Sequence, residues 1–572
     1  MDAGRTRRDR RPSRGRARVR REAHAALLRI VKGRVPVEVA TLPGLVAWCA
    51  SRWGEREALI TVDERWSYAR LARETARVAE GLAALGVGPG DRVGVLLPNR
   101  PEFFASVFGI QATGAAAVCL NTMAPEAELA FHVAHTRLDT VVYVPSFLKH
   151  DYVARLDALT ASGEAAGFLQ RRIAVVEGSA GSEVPPGSLD YAALGSLPED
   201  GPSALRALDH STSESPAAIF FTSGSTAKPK ALVHAHRSLV HQAFVAGDAF
   251  GIEAEDRAWG GLPMFFTGGF VVIGLLSLAV GGAVVLQDHF EAATALDLME
   301  RERITVYAGW QLAAALCEHE SFPRRRLRLR KGMYAETPVT ETLLAPDHVS
   351  IAGYGLSETA TTICAARWDD PPDVRKRGFG RPLPGAEVAI VDPETGAPRP
   401  EGEVGEVRVR GPSLMLGYLG VAREEYLDAR GFFRTGDFGR LDDTGTLHFE
   451  GRLKEVIKTA GVNVAAAEVE ACLEALPFVR AAYVVPVAHP VRGENVAAFL
   501  VTQPGVSLPV DAVLEHCRTA LAPYKVPRHL FRLDPADVPR TGTQKVDKPR
   551  LREDAGRQAG GAIDLLFAKR DG

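Results

Sequence analysis

The run Ala217-Ala218-Ile219-Phe220-Phe221, followed by Thr222-Ser223-Gly224-Ser225-Thr226-Ala227-Lys228-Pro229-Lys230, constrains this chain more than any other stretch. An unbroken apolar run of that length reads as a buried strand. It ends in a burst of hydroxyls around a single glycine, Gly224, which can take φ > 0. Successive N–H groups in such a turn form a concave anion site. Thr222, Ser223, Ser225 and Thr226 add O–H donors, and Lys228 and Lys230 add positive charge. The chemistry is that of a phosphate cradle at a strand end, although a polar surface turn is the plainer reading of a Ser/Thr/Gly cluster. A Walker A loop is excluded, because its spacing fails and Pro229 intervenes.

Around this stretch the chain alternates helix and strand. Leu71 to Leu85 reads as an amphipathic helix ended at Gly86, Val93 to Leu97 as a strand closed by Pro98-Asn99, Glu102 to Gly114 as a helix, and Ala115 to Leu120 as a strand. That alternation predicts an α/β fold with a parallel sheet. Ser179 to Ser213, rich in Gly, Pro, Ser and acid, reads as an exposed connection. Leu232 to Phe250 reads as a helix carrying His234, His236 and His241, and histidines two apart on a helix do not share a face for a metal.

At 572 residues the chain is too long for one ordinary core, so two or more domains are expected. A net charge of -2 gives no global field for nucleic acid. Six cysteines without C-x-x-C spacing fit reduced thiols in a cytoplasmic protein and give no zinc site. No apolar run is long enough to span a membrane, and no apolar segment of a secretory signal follows the basic start. The arginine-rich residues 1–36 read as a disordered basic tail, with a basic arm on anionic lipid or nucleic acid as the sharper alternative.

Further motifs follow the hydroxyl-rich stretch in order. Gly353-Tyr354-Gly355-Leu356-Ser357-Glu358-Thr359 offers an aromatic beside small residues, suited to a flat base, and a carboxylate among hydroxyls, suited to hydrated Mg²⁺. Arg434-Thr435-Gly436-Asp437 offers a carboxylate able to accept from two ribose hydroxyls at once. Gly451-Arg452-Leu453-Lys454-Glu455-Val456-Ile457-Lys458 and Pro539-Arg540-Thr541-Gly542-Thr543-Gln544-Lys545 complete the series.

Together these residues resemble the AMP-forming acyl and aryl ligases, the superfamily of acyl-CoA synthetases, luciferases and peptide-synthetase adenylation domains. The motifs span roughly 320 residues in the family's order, which chance does not supply. The resemblance implies a large domain of mixed and parallel sheets wrapped by helices, a small β-barrel, and a mobile α+β lid. It places the large domain at 37–452, the lid at 453–553 and a tail at 554–572. By the same resemblance Thr222, Ser223, Gly224, Ser225, Thr226 and Lys230 would hold phosphate. Tyr354 would stack on adenine, Ser357 or Thr359 would touch the α-phosphate, and Glu358 would hold Mg²⁺. Asp437, Arg452 and Lys458 would serve ribose and phosphate, Lys454 would be the hinge, and Lys545 the adenylation lysine.

Phe265, Phe266, Trp310 and Glu336 fall where the family lines its acyl pocket. Phe266 replaces the usual histidine, and no acid lies between Leu262 and Gly269 to pair with an α-amine, so an amino acid is disfavoured. The apolar lining favours an aryl or medium-length acyl group. Ala227, Ala231 and Gln544 replace family glycines. The implied activity is an ATP-dependent carboxylic acid–CoA ligase that uses ATP, Mg²⁺ and CoA. Alternatives are an enzyme loading an acyl carrier protein, and a degenerate nucleotide-binding member without activity.

Overall fold

The computed structural model describes residues 35–161, 163–176, 183–222, 229–309, 312–333, 342–452, 456–459, 462–489, 493–503, 505–521, 525–541 and 546–559. Two large sheets carry the N-terminal two thirds. In the first, strands Arg92–Leu96, Ala116–Cys119, Thr140–Tyr143, Arg171–Ala174, Ser188–Asp190 and Pro216–Thr222 run parallel. Lys230–Ala235 and Gly417–Tyr418 add antiparallel at one side to make eight strands. In the second, Glu57–Ile60, Ala283–Leu286, Arg257–Gly260, Val306–Tyr307, Lys331–Met333 and Val349–Ile351 are parallel, and Arg65–Ser67 closes one edge antiparallel. Parallel strands buried on both faces read as continuous apolar runs, and Ala116–Cys119 and Thr140–Tyr143 are buried throughout.

Helix Tyr68–Ala84 begins at Ser67, whose side chain accepts from the Arg70 N–H, and it buries the Leu71, Ala72, Ala76, Ala79 and Leu82 stripe. Helix Pro101–Ala112 is buried on nearly all sides. Its Phe103, Phe104 and Phe108 rings meet Phe270 at 6.0–6.2 Å between centroids, joining the two sheets through one aromatic cluster. Phe270 lies in a π-helix, Gly268–Leu275, that follows the aromatic segment Phe265-Phe266. Its wider turn is a form found mostly beside functional sites.

Three local expectations are corrected. Lys230–Ala235 is a strand and the helix starts only at His236, because the strand is claimed by hydrogen-bonded neighbours on both sides. The Ser179 to Ser213 connection contains strand Ser188–Asp190 and helix Gly201–Leu208, anchored by buried Tyr191 and Leu205 and by Arg77 donating to the Tyr191 and Leu194 carbonyls. Where a small barrel is expected, Glu387–Val391, Gly405–Arg410, Phe433–Leu441 and Leu447–Arg452 form a four-stranded antiparallel sheet in linear order.

The C-terminal part has its own cores. Strands Val479–His489 and Gly493–Thr502 pair along their length, with Val456–Thr459, Val462–Ala465 and His529–Arg532 beside them. Helices Ala466–Glu474, Val510–Ala520 and Lys548–Ala559 pack on this sheet. Arg480 on its first long strand meets Glu318 of the large domain at 2.8 Å. Among the described residues no helix is long and apolar enough to cross a membrane.

Candidate functional site

Segments that follow the C-terminal ends of parallel strands in both sheets meet around the Ser357-Glu358-Thr359 turn, where open α/β sheets bind ligands. The hydroxyl-rich loop joins Pro216–Thr222 to Lys230–Ala235 as a hairpin, with Thr222 paired to Lys230 across it. Residues 223–228, and with them Ser223, Gly224, Ser225 and Thr226, lie outside the described residues. Ala231 sits in regular strand pairing opposite Phe221 rather than at positive φ, so the alanine is accommodated without backbone strain.

Opposite the hairpin, Tyr354 and Asp437 are almost fully buried. The Tyr354 hydroxyl donates to the Asp437 carboxylate at 2.7 Å, and Arg452 Nε lies 3.1 Å from its other oxygen. Burial first, and then the Asp437 charge, push the Tyr354 phenol well above its ordinary range. Tyr354 therefore stays a donor, and its ring is fixed by Phe379 and Phe449 at 6.4 and 6.3 Å. A flat aromatic surface thus stands beside an oriented carboxylate.

The Ser357-Glu358-Thr359 turn lies between these two features. Tyr418 donates to Glu358 Oε1 at 2.5 Å, and the Lys230 ammonium stands 4.9 Å from the Tyr418 ring centre. Burial, followed by the Glu358 charge, raises the Tyr418 phenol far above its usual range, so it remains the donor. Thr267 Oγ1 donates to Ser357 Oγ at 3.0 Å, which leaves the Ser357 proton for another acceptor. Thr359 is fully buried and its hydroxyl is engaged with Leu356 and Thr361 inside the turn. Among the described residues no three His, Cys, Asp or Glu side chains cluster. A lone carboxylate beside hydroxyls fits Mg²⁺, which is commonly held by one or two carboxylates plus substrate phosphates rather than by an all-protein cage.

Beside Thr267, Phe265 is buried and Phe266 half-buried, with their rings edge to face at 4.7 Å. Asn99 holds this corner: its amide donates to the Gly260 and Leu262 carbonyls at 2.9 Å each and accepts from the Met264 N–H at 2.8 Å. Trp310, Glu336, Lys454 and Lys545 lie outside the described residues, as does the Lys458 side chain on strand Val456–Thr459. Asn99, Thr267, His234 and Tyr418 were not singled out by the motifs as site residues. Asn99 carries the one usable sequence signal, an Asn closing a strand beside Pro98.

Comparison with known proteins places this cleft. Residues 46–419 match the model of the AMP-binding enzyme family, and residues 468–545 match the AMP-binding enzyme C-terminal domain. The chain belongs to the AMP-binding enzyme family. It is 31% identical over 528 residues to a 3-(7a-methyl-1,5-dioxo-octahydro-1H-inden-4-yl)propanoyl:CoA ligase of Rhodococcus jostii, covering 90% of this chain and 98% of the relative. It is 32% identical over 495 residues to a feruloyl-CoA synthase of Amycolatopsis sp, covering 85% and 93%. The ATP-bound structure of MatB from Rhodopseudomonas palustris superposes with a TM-score of 0.73 at 26% identity, covering 90% of this chain and 99% of that one. Like its relatives in the AMP-binding family, the protein is an AMP-forming acid–thiol ligase of acyl-CoA synthetase type.

Proposed function

We propose that this AMP-binding enzyme joins an aryl or medium-length carboxylic acid to CoA. The observation that carries the reading is the meeting, in one cleft, of the Lys230 hairpin, the Ser357–Glu358 turn and the Tyr354–Asp437–Arg452 cluster, with an aromatic corner beside them. In this reading the Tyr354 ring receives adenine, Asp437 accepts from the ribose hydroxyls, and the loop after Thr222 cradles phosphate. Ser357 donates to the α-phosphate, Lys230 adds charge, and Glu358 holds Mg²⁺. Bound there, Mg²⁺ supplies charge neutralisation on the phosphates.

The chain's own part is positioning and electrostatics. A carboxylate oxygen attacks the α-phosphorus, the bond to pyrophosphate breaks, and the acyl-adenylate forms. Lys545, on the lid, stabilises the charge shared between carboxylate, α-phosphate and leaving group. The CoA thiol then attacks the carbonyl carbon, AMP leaves, and the thiol proton passes to solvent. The first step needs a closed, dry site and the second needs a thiol channel, so the lid from about residue 453 reorients about Lys454 between them. The Phe265 and Phe266 rings supply a flat apolar wall for the acid.

The test is pyrophosphate release with MgATP across aryl, fatty and amino acids, with and without CoA, beside Lys545→Ala. The expected result is acid-dependent release lost in Lys545→Ala, and a thioester formed only with CoA. Release without CoA turnover, but with acyl transfer to a phosphopantetheinylated carrier protein, would replace CoA by the carrier. No release with any acid would overturn the reading.

A further inference from the structure

We propose that His234 is a positioning residue: its imidazole pins the Ser357 carbonyl and so aims the Glu358 carboxylate at the metal–phosphate position. This rests on the reading of Glu358 given above and extends it to a side chain that touches no substrate.

His234 is fully buried on strand Lys230–Ala235. Its Nε2 lies 2.8 Å from the Ser357 carbonyl oxygen and its Nδ1 lies 3.2 Å from Ser238 Oγ. A carbonyl only accepts, so Nε2 carries the proton. Burial pushes the imidazole down to about 4, which keeps it neutral at neutral pH. The Ser357 carbonyl belongs to the same peptide plane as the Glu358 N–H, so fixing that oxygen fixes the plane from which the Glu358 side chain departs.

The turn needs such a tether. Directly after Thr359, Ala360 and Thr361 both have positive φ, 49° and 87°. For a β-branched residue that is a true outlier. Such strain persists only where the surroundings over-determine it. Among the described residues, hydrogen bonds reach the turn from outside from His234 to the Ser357 carbonyl, Thr267 to Ser357 Oγ, the Met415 N–H to the Glu358 carbonyl, and Tyr418 to Glu358 Oε1.

His234 also gives the turn and the phosphate hairpin a common reference. Lys230 opens the same strand, and Tyr418, which donates to Glu358, pairs with Leu232 on it. One strand therefore sets the lysine, the tyrosine and, through His234, the carboxylate.

The test compares His234→Leu, which fills space but cannot donate, with His234→Gln, whose amide N–H can reach the same carbonyl. Mn²⁺ binding in the presence of a non-hydrolysable ATP analogue is followed by electron paramagnetic resonance, and metal-free AMP affinity by calorimetry. Partners that orient a metal ligand are worth 10–100-fold in metal affinity, so His234→Leu is expected to weaken Mn²⁺ about 10-fold or more. AMP affinity should hold, and His234→Gln should restore most of the metal affinity. Mn²⁺ binding unchanged in His234→Leu would overturn the proposal, as would equal loss of Mn²⁺ and AMP in both variants, the mark of general core damage. If His234→Leu does not fold, His234→Met, pliable enough to fill the same space, is read by the same criteria. Glu358→Gln separates the two layers. If it leaves Mn²⁺ binding intact, the Glu358 reading falls and the inference with it. If it weakens Mn²⁺ while His234→Leu does not, only the His234 inference falls.

Discussion

At the corner proposed for the nucleotide, polar side chains hold one another: Asp437 is gripped by Tyr354 and Arg452, and Glu358 by Tyr418. At the corner proposed for the acid, apolar rings lean together and Asn99 holds the backbone behind them. The first corner is oriented before any ligand arrives, because each buried polar group must have its partner. The second tolerates exchange, since volume and apolarity are nearly all it has to conserve. Chemistry common to a family belongs in the first kind of corner, and choice of substrate in the second.

The largest break in that comparison is Asp437→Ala. It strands the Tyr354 hydroxyl and removes the partner of Arg452. In the proposed role the ribose hydroxyls also lose a charged acceptor, a hydrogen bond worth about 1.5–3 kcal/mol, so AMP affinity should drop about 10- to 150-fold. Calorimetric titration of AMP measures this directly. An unchanged affinity would remove Asp437 from the nucleotide corner.

Phe266→Ala should act on the other corner alone. Reshaping an apolar pocket by a few carbons is worth about 1–3 kcal/mol of discrimination. The ratio of kcat/KM values for a bulky aryl acid against a short acyl acid should therefore shift roughly 10- to 200-fold, with AMP affinity untouched. A parallel change in AMP affinity would show that the corners are not separable. Asn99→Ala should fall between them. It removes the Asn99 partner of three backbone groups near the rings, of which the Gly260 carbonyl keeps the Gln287 N–H. Lost thermal stability and a raised KM for the acid are expected, at about 1–3 kcal/mol for each group left unsatisfied.

The same contrast explains what was legible in the chain before folding. Tyr354, Glu358 and Asp437 stand in short motifs whose residue types already state their chemistry. Asn99 and Tyr418 act on partners far along the chain, and no local spacing marks that. Leu232 to Phe250, with His234, reads as a helix from the sequence. Pairing with Pro216–Thr222 and Gly417–Tyr418 makes Lys230–Ala235 a strand, so tertiary context overrides local pattern. Tyr191 and Leu205 are isolated apolar residues in a Gly/Pro-rich stretch, too sparse to show a period, yet both are buried. The alternation of helix and strand, by contrast, is a long-range regularity and fixed the fold class directly.

The smallest effect compares two buried histidines flanking the phosphate hairpin. His234 uses both ring nitrogens. His132 is equally buried, lies flat on Phe221 with ring centres 3.6 Å apart, and among the described residues both its nitrogens lack a hydrogen-bond partner. Its nearest carboxylate, Glu128, is 3.8 Å away. Burial, helped by the neighbouring His135, pushes the His132 imidazole down to about 3 from an ordinary 6.5. His132→Phe keeps the stack and removes an unsatisfied donor, so it should stabilise the fold by about 1 kcal/mol at neutral pH. The sign with pH follows from proton uptake. Below about pH 6.5 the unfolded chain takes a proton that the folded chain refuses, so His132 erodes stability as pH falls, until about pH 3. The variant's advantage should therefore widen on acidification by up to about 1.4 kcal/mol per pH unit. Urea unfolding of both proteins at stepped pH measures it. A constant or shrinking gap would mean that Glu128 closes on the protonated ring and makes His132 a partnered residue after all.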